Sequence, residues 1–288
     1  MSAPKEIDPR EIPTDSLVEL AVHLAHEDPD LEAEQLWACI HALQPRADQE
    51  LFEIAAQWCQ SEACVERELG ADLLGQFGNE EEENPRPFAA ESLKLLTGLL
   101  NDPEPEVQQS AIVAMGHLRR RNPDLPVDTL WDSSLLKTAA SHQEAEVREA
   151  VAHALGGPGH CDDCPVAVEI MLGLTADSSD LVRNWATFGL GVMSQIDSPA
   201  IRAALAARLS DPHDDTRNEA TVALAMRHDE GVIALIELDL QGEEVFDHAI
   251  EAAGAFPRPE FLPHLERLLE LHPGDDVIQD ALNNFAPE

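Results

Sequence analysis

The sequence predicts an all-α, right-handed solenoid of about eight stacked helix pairs. Three observations carry the prediction. One helical template recurs along the chain, its copies 29 to 41 residues apart, which is the length of one helix–turn–helix unit. Asp-Pro turns stand between several of these copies and an apolar helix just upstream. Finally, a small residue occupies the same place in every copy, where a neighbouring helix has to come close. Tyr is absent and aromatics make up only 4% of the chain, which favours close-packed Ala/Leu helices over sheets.

Taken in order, residues 1–14 are acidic and Pro-rich and read as a disordered or extended leader to a single solenoid over 15–288. DSLVELAVHLA, Asp28-Pro29 and LEAEQLWACIHAL form a first, weak pair. ERELGADLLG then opens the template series, followed by segments 106–118, 146–157, 181–193, 216–227, 244–256 and 276–286. Upstream partners include ESLKLLTGLL, AIRAALAARLS and FLPHLERLLELH, which run into Asp102-Pro103, Asp211-Pro212 and Pro273-Gly274. Proline ends one helix and is tolerated in the first turn of the next, so Asp-Pro reads as the joint of each pair.

The template has its anchors at Glu66, Val107, Val147, Val182, Thr216, Val245 and Val277. Four residues on lie Gly70, Ala111, Val151, Ala186, Ala220, Ala249 and Ala281, and eight on lie Leu74, Met115, Leu155, Leu190, Leu224, Ala253 and Phe285. Positions 0, 4 and 8 make one stripe of a 3.6-residue helix and predict its core face. Position 9 is small throughout, from Gly75, Gly116, Gly156 and Gly191 to Ala225, Gly254 and Ala286.

This pattern of Asp-Pro, an acidic stretch, and Val-Arg-x-x-Ala-x-x-x-Leu-Gly resembles HEAT repeats, and within them the phycocyanobilin-lyase-type HEAT-like repeats, an armadillo-like α-solenoid. The likeness covers most of residues 15–286 and is strongest over 88–227. The resemblance implies a ladder between the turn aspartate and the arginine after the anchor, here Asp102 and Asp211 with Arg148, Arg183 and Arg217. Gln108, Phe246 and Ile278 depart from it, so the ladder is expected in the middle of the chain. Such repeats host scaffolds, adaptors, lyases and hydroxylases alike, so fold alone names no activity. The deoxyhypusine-modifying hydroxylase of this class holds iron with repeated His-Glu dipeptides. Here His26-Glu27 is the single example and it precedes a turn, so the reading leans away from an enzyme.

Charge bounds the partner. Fifty-six acidic residues against 18 basic give a net charge of −38. Such a chain repels phosphate backbones, so no direct nucleic-acid binding is expected, and an acidic scaffold for a basic protein partner is. The acidity also fits a solvated surface, a salty cytoplasm, or a mimic of nucleic acid. Without an apolar signal core or a run long enough for a bilayer, the expectation is a cytoplasmic protein with no membrane association. Five scattered cysteines suit reduced thiols rather than a disulfide framework.

Two candidate sites follow. Positions 2, 6 and 10 point away from the core and position 3 lies on the flank, at 100° per residue. They place His117, His153, Trp185, Phe188, Met226 and His248 on the second helices, which line the concave wall of a HEAT solenoid. Trp185 and Phe188 form an aromatic pair where a solvated helix would carry charge, the kind of anchor that dominates binding. The second candidate is His160-Cys161-Asp162-Asp163-Cys164, where two thiolates and an imidazole could take zinc. A second Cys-x-x-Cys is missing, so the primary reading has no cofactor. Arg119, Arg120 and Arg121 read as the basic end of a helix, complementing its dipole. Glu80–Glu83 read as a solvated loop.

Overall fold

The computed structural model describes residues 9–28, 34–78, 87–122, 125, 133–158, 160, 162, 164–242 and 245–285. Among these residues every regular element is helical. The chain divides into two compact units, Met1–Ala154 and Leu155–Glu288. The first holds α1 (Thr14–Glu27), α2 (Glu34–Leu43), α3 (Gln49–Trp58), α4 (Cys64–Gly75), α5 (Ala89–Leu99), α6 (Pro105–Arg121), α7 (Ser133–Ala139) and α8 (Ala145–Leu155), whose last residue marks the boundary. The second holds α9 (Pro165–Leu174), α10 (Asp180–Phe188), α11 (Pro199–Arg208), α12 (Asp214–Met226), α13 (Ile233–Leu240), α14 (Asp247–Ala255), α15 (Leu262–Leu271) and α16 (Asp276–Asn283). Among the described residues each unit is thus a run of four helix pairs, the repeat-solenoid class that the periodicity predicts.

The predicted stripe is the core. Val107, Ala111 and Met115 of α6 are buried, as are Val147, Val151 and Leu155, then Val182, Ala186 and Leu190, then Thr216, Ala220 and Leu224. First helices meet it with their own apolar faces, such as Leu93 and Leu96 of α5 or Ile201 and Leu205 of α11. Neither helix of a pair can bury its stripe alone; stacking removes both from water. Toward the ends the stripe weakens: Glu66, Val245, Val277 and Phe285 are only half-buried. At α16 the neighbouring Ile278 takes the buried place instead.

Position 9 works as expected. A Cβ on Gly75 would lie 2.6 Å from the Ala114 Cα, and one on Gly116 would lie 2.9 Å from the Ala154 Cα. In the second unit Gly191 meets the Ala223 Cβ at 2.5 Å in the same way, and Gly254 meets the Ala281 Cα at 2.9 Å. Second helices α4 and α6, and α10, α12, α14 and α16, therefore lie side by side at near backbone contact.

The prolines do something different from the expectation. Pro103 and Pro212 lie inside the turns, while Pro105, Pro165 and Pro199 occupy the first helical turn. The joint itself is made by side chains. Asp102, Asp177 and Asp211 each accept from the N–H two residues on, at 3.1, 2.8 and 3.0 Å. The residue after the anchor then reaches back six residues to the turn carbonyl. Arg67 reaches Ser61 at 3.0 Å, Arg148 reaches His142 at 2.8 Å, Arg183 reaches Asp177 at 3.0 Å and Arg217 reaches Asp211 at 2.7 Å. Gln108 keeps this half of the joint through its amide, 2.7 Å from the Asp102 carbonyl.

The other half links neighbouring repeats. Arg183 forks onto Asp211 with two bonds of 2.8 Å, and both residues are buried. Arg67 forks onto Asp102 at 2.7 and 2.8 Å, which extends the ladder beyond its expected confinement to the middle. Arg217, in contrast, turns to Asp214 of its own helix.

The N-terminal side is tied down by Arg46. Its guanidinium donates to the Ile12 carbonyl at 2.7 Å and the Arg10 carbonyl at 3.1 Å, holding the 3₁₀ turn Pro9–Glu11. Arg121 ends α6 as expected, and Arg119 is buried. Glu80–Glu83 lie outside the described residues. Among the described residues no helix is long and apolar enough to cross a membrane.

Candidate interaction surface

The helix that sequence periodicity singles out, 180–193, has an unusual end. Its α-helical part stops at Phe188, and Gly189–Met193 continue as a π-turn. A π-turn leaves carbonyls without their usual intrahelical partners. Arg227 supplies them. Its guanidinium donates to the carbonyls of Leu190 at 3.1 Å, Ser194 at 3.2 Å, Ile196 at 2.9 Å and Ala223 at 2.9 Å, and also to that of Gly191. Asp162 completes the clasp, accepting from the Ser194 hydroxyl at 2.6 Å and the Gln195 N–H at 3.2 Å. Arg227 can reach because α12 ends beside it in a Schellman turn. The His228 N–H bonds Ala225 and that of Asp229 bonds Leu224, with His228 left-handed at φ 51°. The His228 ring recovers some of that cost by stacking on Phe256, with centroids 4.9 Å apart.

On this held helix, Trp185 and Phe188 sit edge to face with ring centroids 6.1 Å apart, both half-exposed. Neighbouring α12 carries Glu219 at the flank position that Trp185 takes on α10. Burial, with Glu251 and Asp215 nearby, pushes the Glu219 carboxyl up to about 7. Glu219 thus resists full ionisation, first because it is buried and then because Glu251 and Asp215 lie near it.

The remaining expected contacts fall into three places. His117 and His153 belong to the first unit, where their rings meet edge to face at 6.1 Å. Burial and the nearby Arg120 charge hold His153 below the ordinary imidazole value. Met226 is 38% exposed and stands at the end of α12 in a pocket with Gln195, Asp197 and His228. His248 faces Asp239 at 3.7 Å and stacks on Phe246 with centroids 6.2 Å apart. Sequence reasoning noticed Phe246 only as a departure from the arginine ladder, yet at 65% it is the most exposed aromatic among the residues described.

In the proposed metal loop, Cys161 lies outside the described residues. His160 is buried, its ring so close to Gly157 that a Cβ there would meet the imidazole at 2.4 Å. Cys164 is buried at the N-cap of α9. Among the described residues no group of three or more His, Cys, Asp or Glu is gathered to hold a metal ion.

Comparison with known proteins agrees with the geometry of the pairs. The HEAT repeats family profile matches residues 92–191. Protein YibA of Escherichia coli K12 is 26% identical over 244 residues, spanning 84% of this chain and 82% of YibA. The crystal structure of the E. coli YibA protein superposes with a TM-score of 0.72 at 23% identity, covering 99% of this chain and 97% of that one. An engineered protein of known structure aligns with a TM-score of 0.50 at 17% identity, over 94% of this chain and 80% of its own. With buried Val-x-x-x-Ala-x-x-x-Leu stripes, Asp–Arg joints and small-residue contacts recurring along the chain, the fold is a HEAT/armadillo-like repeat solenoid whose residues 92–191 match the HEAT repeats family.

Proposed function

We propose that the chain is a cytoplasmic interaction scaffold that grips a basic protein on its second helices, with Trp185 and Phe188 as anchors. The observation that carries this reading is the half-exposed aromatic pair on α10 beside the crowded carboxylates of α12 and α14. An aromatic pair recovers apolar area when covered, and a cation placed beside Glu219 and Glu251 relieves their mutual repulsion. The net charge of −38 adds a long-range field that draws a basic partner in. HEAT repeats suit this role because the stacked array presents a rigid, extended face. On this reading Met226 and His248 add contacts on the second helices of the second unit, and His117 and His153 offer contacts on those of the first.

The test is affinity recovery from native lysate with the full chain and with the Trp185→Ala/Phe188→Ala double variant. The expected result is one or more basic proteins retained by the native chain at low salt. They should be lost with the double variant, and released as ionic strength rises and the Debye length falls from roughly 10 Å toward 3 Å. Equal recovery by the two proteins would remove the aromatic pair from the reading.

A further inference from the structure

We infer a second docking site: a groove between α12, α13 and the start of α14 that takes a basic protein segment carrying an apolar side chain beside its cation. The groove has a volume of about 490 Å³ and lies within the second unit. Its origin is a break in the repeat. After the anchors of α4, α8, α10 and α12 stands an arginine that closes the turn by reaching back to a carbonyl. Ahead of α14 that place is taken by Phe246, which has no donor to reach with. Its ring stands out in solvent, beside Leu235, itself 37% exposed, and the aliphatic wall of Leu209.

The rim is acidic. Asp214, Asp215 and Asp239 line it, with side chains 81%, 72% and 46% exposed. Among the described residues of the lining Arg217 is the one arginine or lysine, and it is held by Asp214 and by the Asp211 carbonyl. An incoming arginine or lysine therefore finds carboxylates at the rim and a phenyl face to lie over. Its apolar neighbour finds Leu235 and Leu209.

Charge decides between occupants. Nucleic acid and anionic lipid are repelled by the rim, and a second copy of this chain brings a further −38. A basic protein segment is the complement in both sign and apolar character. The inference rests on the proposed scaffold function in the sign of the partner's charge; its apolar anchors, Phe246, Leu235 and Leu209, are separate from Trp185 and Phe188, while Asp215 and His248 belong to both surfaces.

The experiment is fluorescence anisotropy on the full chain with two labelled synthetic peptides, one alternating arginine and leucine, the other glutamate and leucine. Saturable binding of the arginine peptide and none of the glutamate peptide is expected. Phe246→Ala, and separately Asp214→Asn/Asp215→Asn/Asp239→Asn, should weaken it at least about tenfold, the effect of losing one good contact. Both sets of side chains are exposed, so the fold should persist, and unchanged circular dichroism checks it. Trp185→Ala/Phe188→Ala should bind within about twofold of the native chain. Native affinity in the two groove variants overturns the site. If the aromatic pair alone controls peptide binding, the groove is excluded while the scaffold reading stands.

Discussion

Asp211→Asn is the most direct test of the joint between repeats. The Asp211 carboxylate is buried and accepts two bonds from Arg183 at 2.8 Å, one from Arg208 at 2.9 Å and one from the His213 N–H at 3.0 Å. The Arg183 hydrogen bonds, chiefly, hold its pKa down from 3.8 to about 2. At 1.36 kcal/mol per pH unit that drop corresponds to about 2 kcal/mol of stability. Asparagine keeps one acceptor oxygen but removes the charge, leaving buried Arg183 without its counter-ion. A buried pair broken from one side costs about 3–5 kcal/mol, so the retained oxygen places the loss at about 2–4 kcal/mol.

Because the folded-state pKa lies below the unfolded one, the carboxylate's stabilisation is fully present above about pH 4 and lost as pH falls through 2. Urea unfolding followed by circular dichroism, at pH 7 and again near pH 2.5, reads both effects. The deficit of the variant should be large at pH 7 and shrink at low pH, where the native chain loses the same interaction. A deficit below about 0.5 kcal/mol at pH 7, typical of a surface change, would refute the assignment. So would one that does not move with pH.

Other expected outcomes follow from the same contacts. Gly75→Val should destabilise by about 1–3 kcal/mol through overpacking against the Ala114 backbone. Gly98→Ala on the exposed face of α5, where an added Cβ meets nothing within 4 Å, should raise the melting temperature through a propensity gain of up to about 1 kcal/mol. Arg227→Met should cost about 2–4 kcal/mol by stranding carbonyls at the π-turn, with hydrogen exchange rising first around residues 189–197. Glu219 has its pKa raised from 4.5 to about 7, so its effect on stability runs opposite to that of Asp211. The favourable protonated state is present below pH 4.5 and lost as pH rises through 7. Glu219→Gln should therefore be more stable than the native chain at pH 8, by on the order of 1–3 kcal/mol, and indistinguishable from it at pH 4 in thermal melts.

The helix pairs, the buried stripe and the small-residue contacts are legible from residue order because they repeat at helical period. Val107, Ala111 and Met115 lie on one face of α6 whatever surrounds them, and Gly75 leaves the same gap wherever its helix is placed. The Arg183–Asp211 joint is legible for the same reason, since one pairing recurs in one register. Its extension to Arg67 and Asp102 is obscured because acidic Glu66 stands where the template has valine. Tertiary structure alone decided what non-repeating residues do. Arg227 is one arginine among many in the chain until the ends of α10 and α12 meet and present it with carbonyls from both. Phe246 is only a missing arginine until α13 brings Leu235 and Asp239 beside it. Periodicity determines which face a side chain takes on its own helix. What lies opposite that face depends on where other helices begin and end, and no local pattern encodes it.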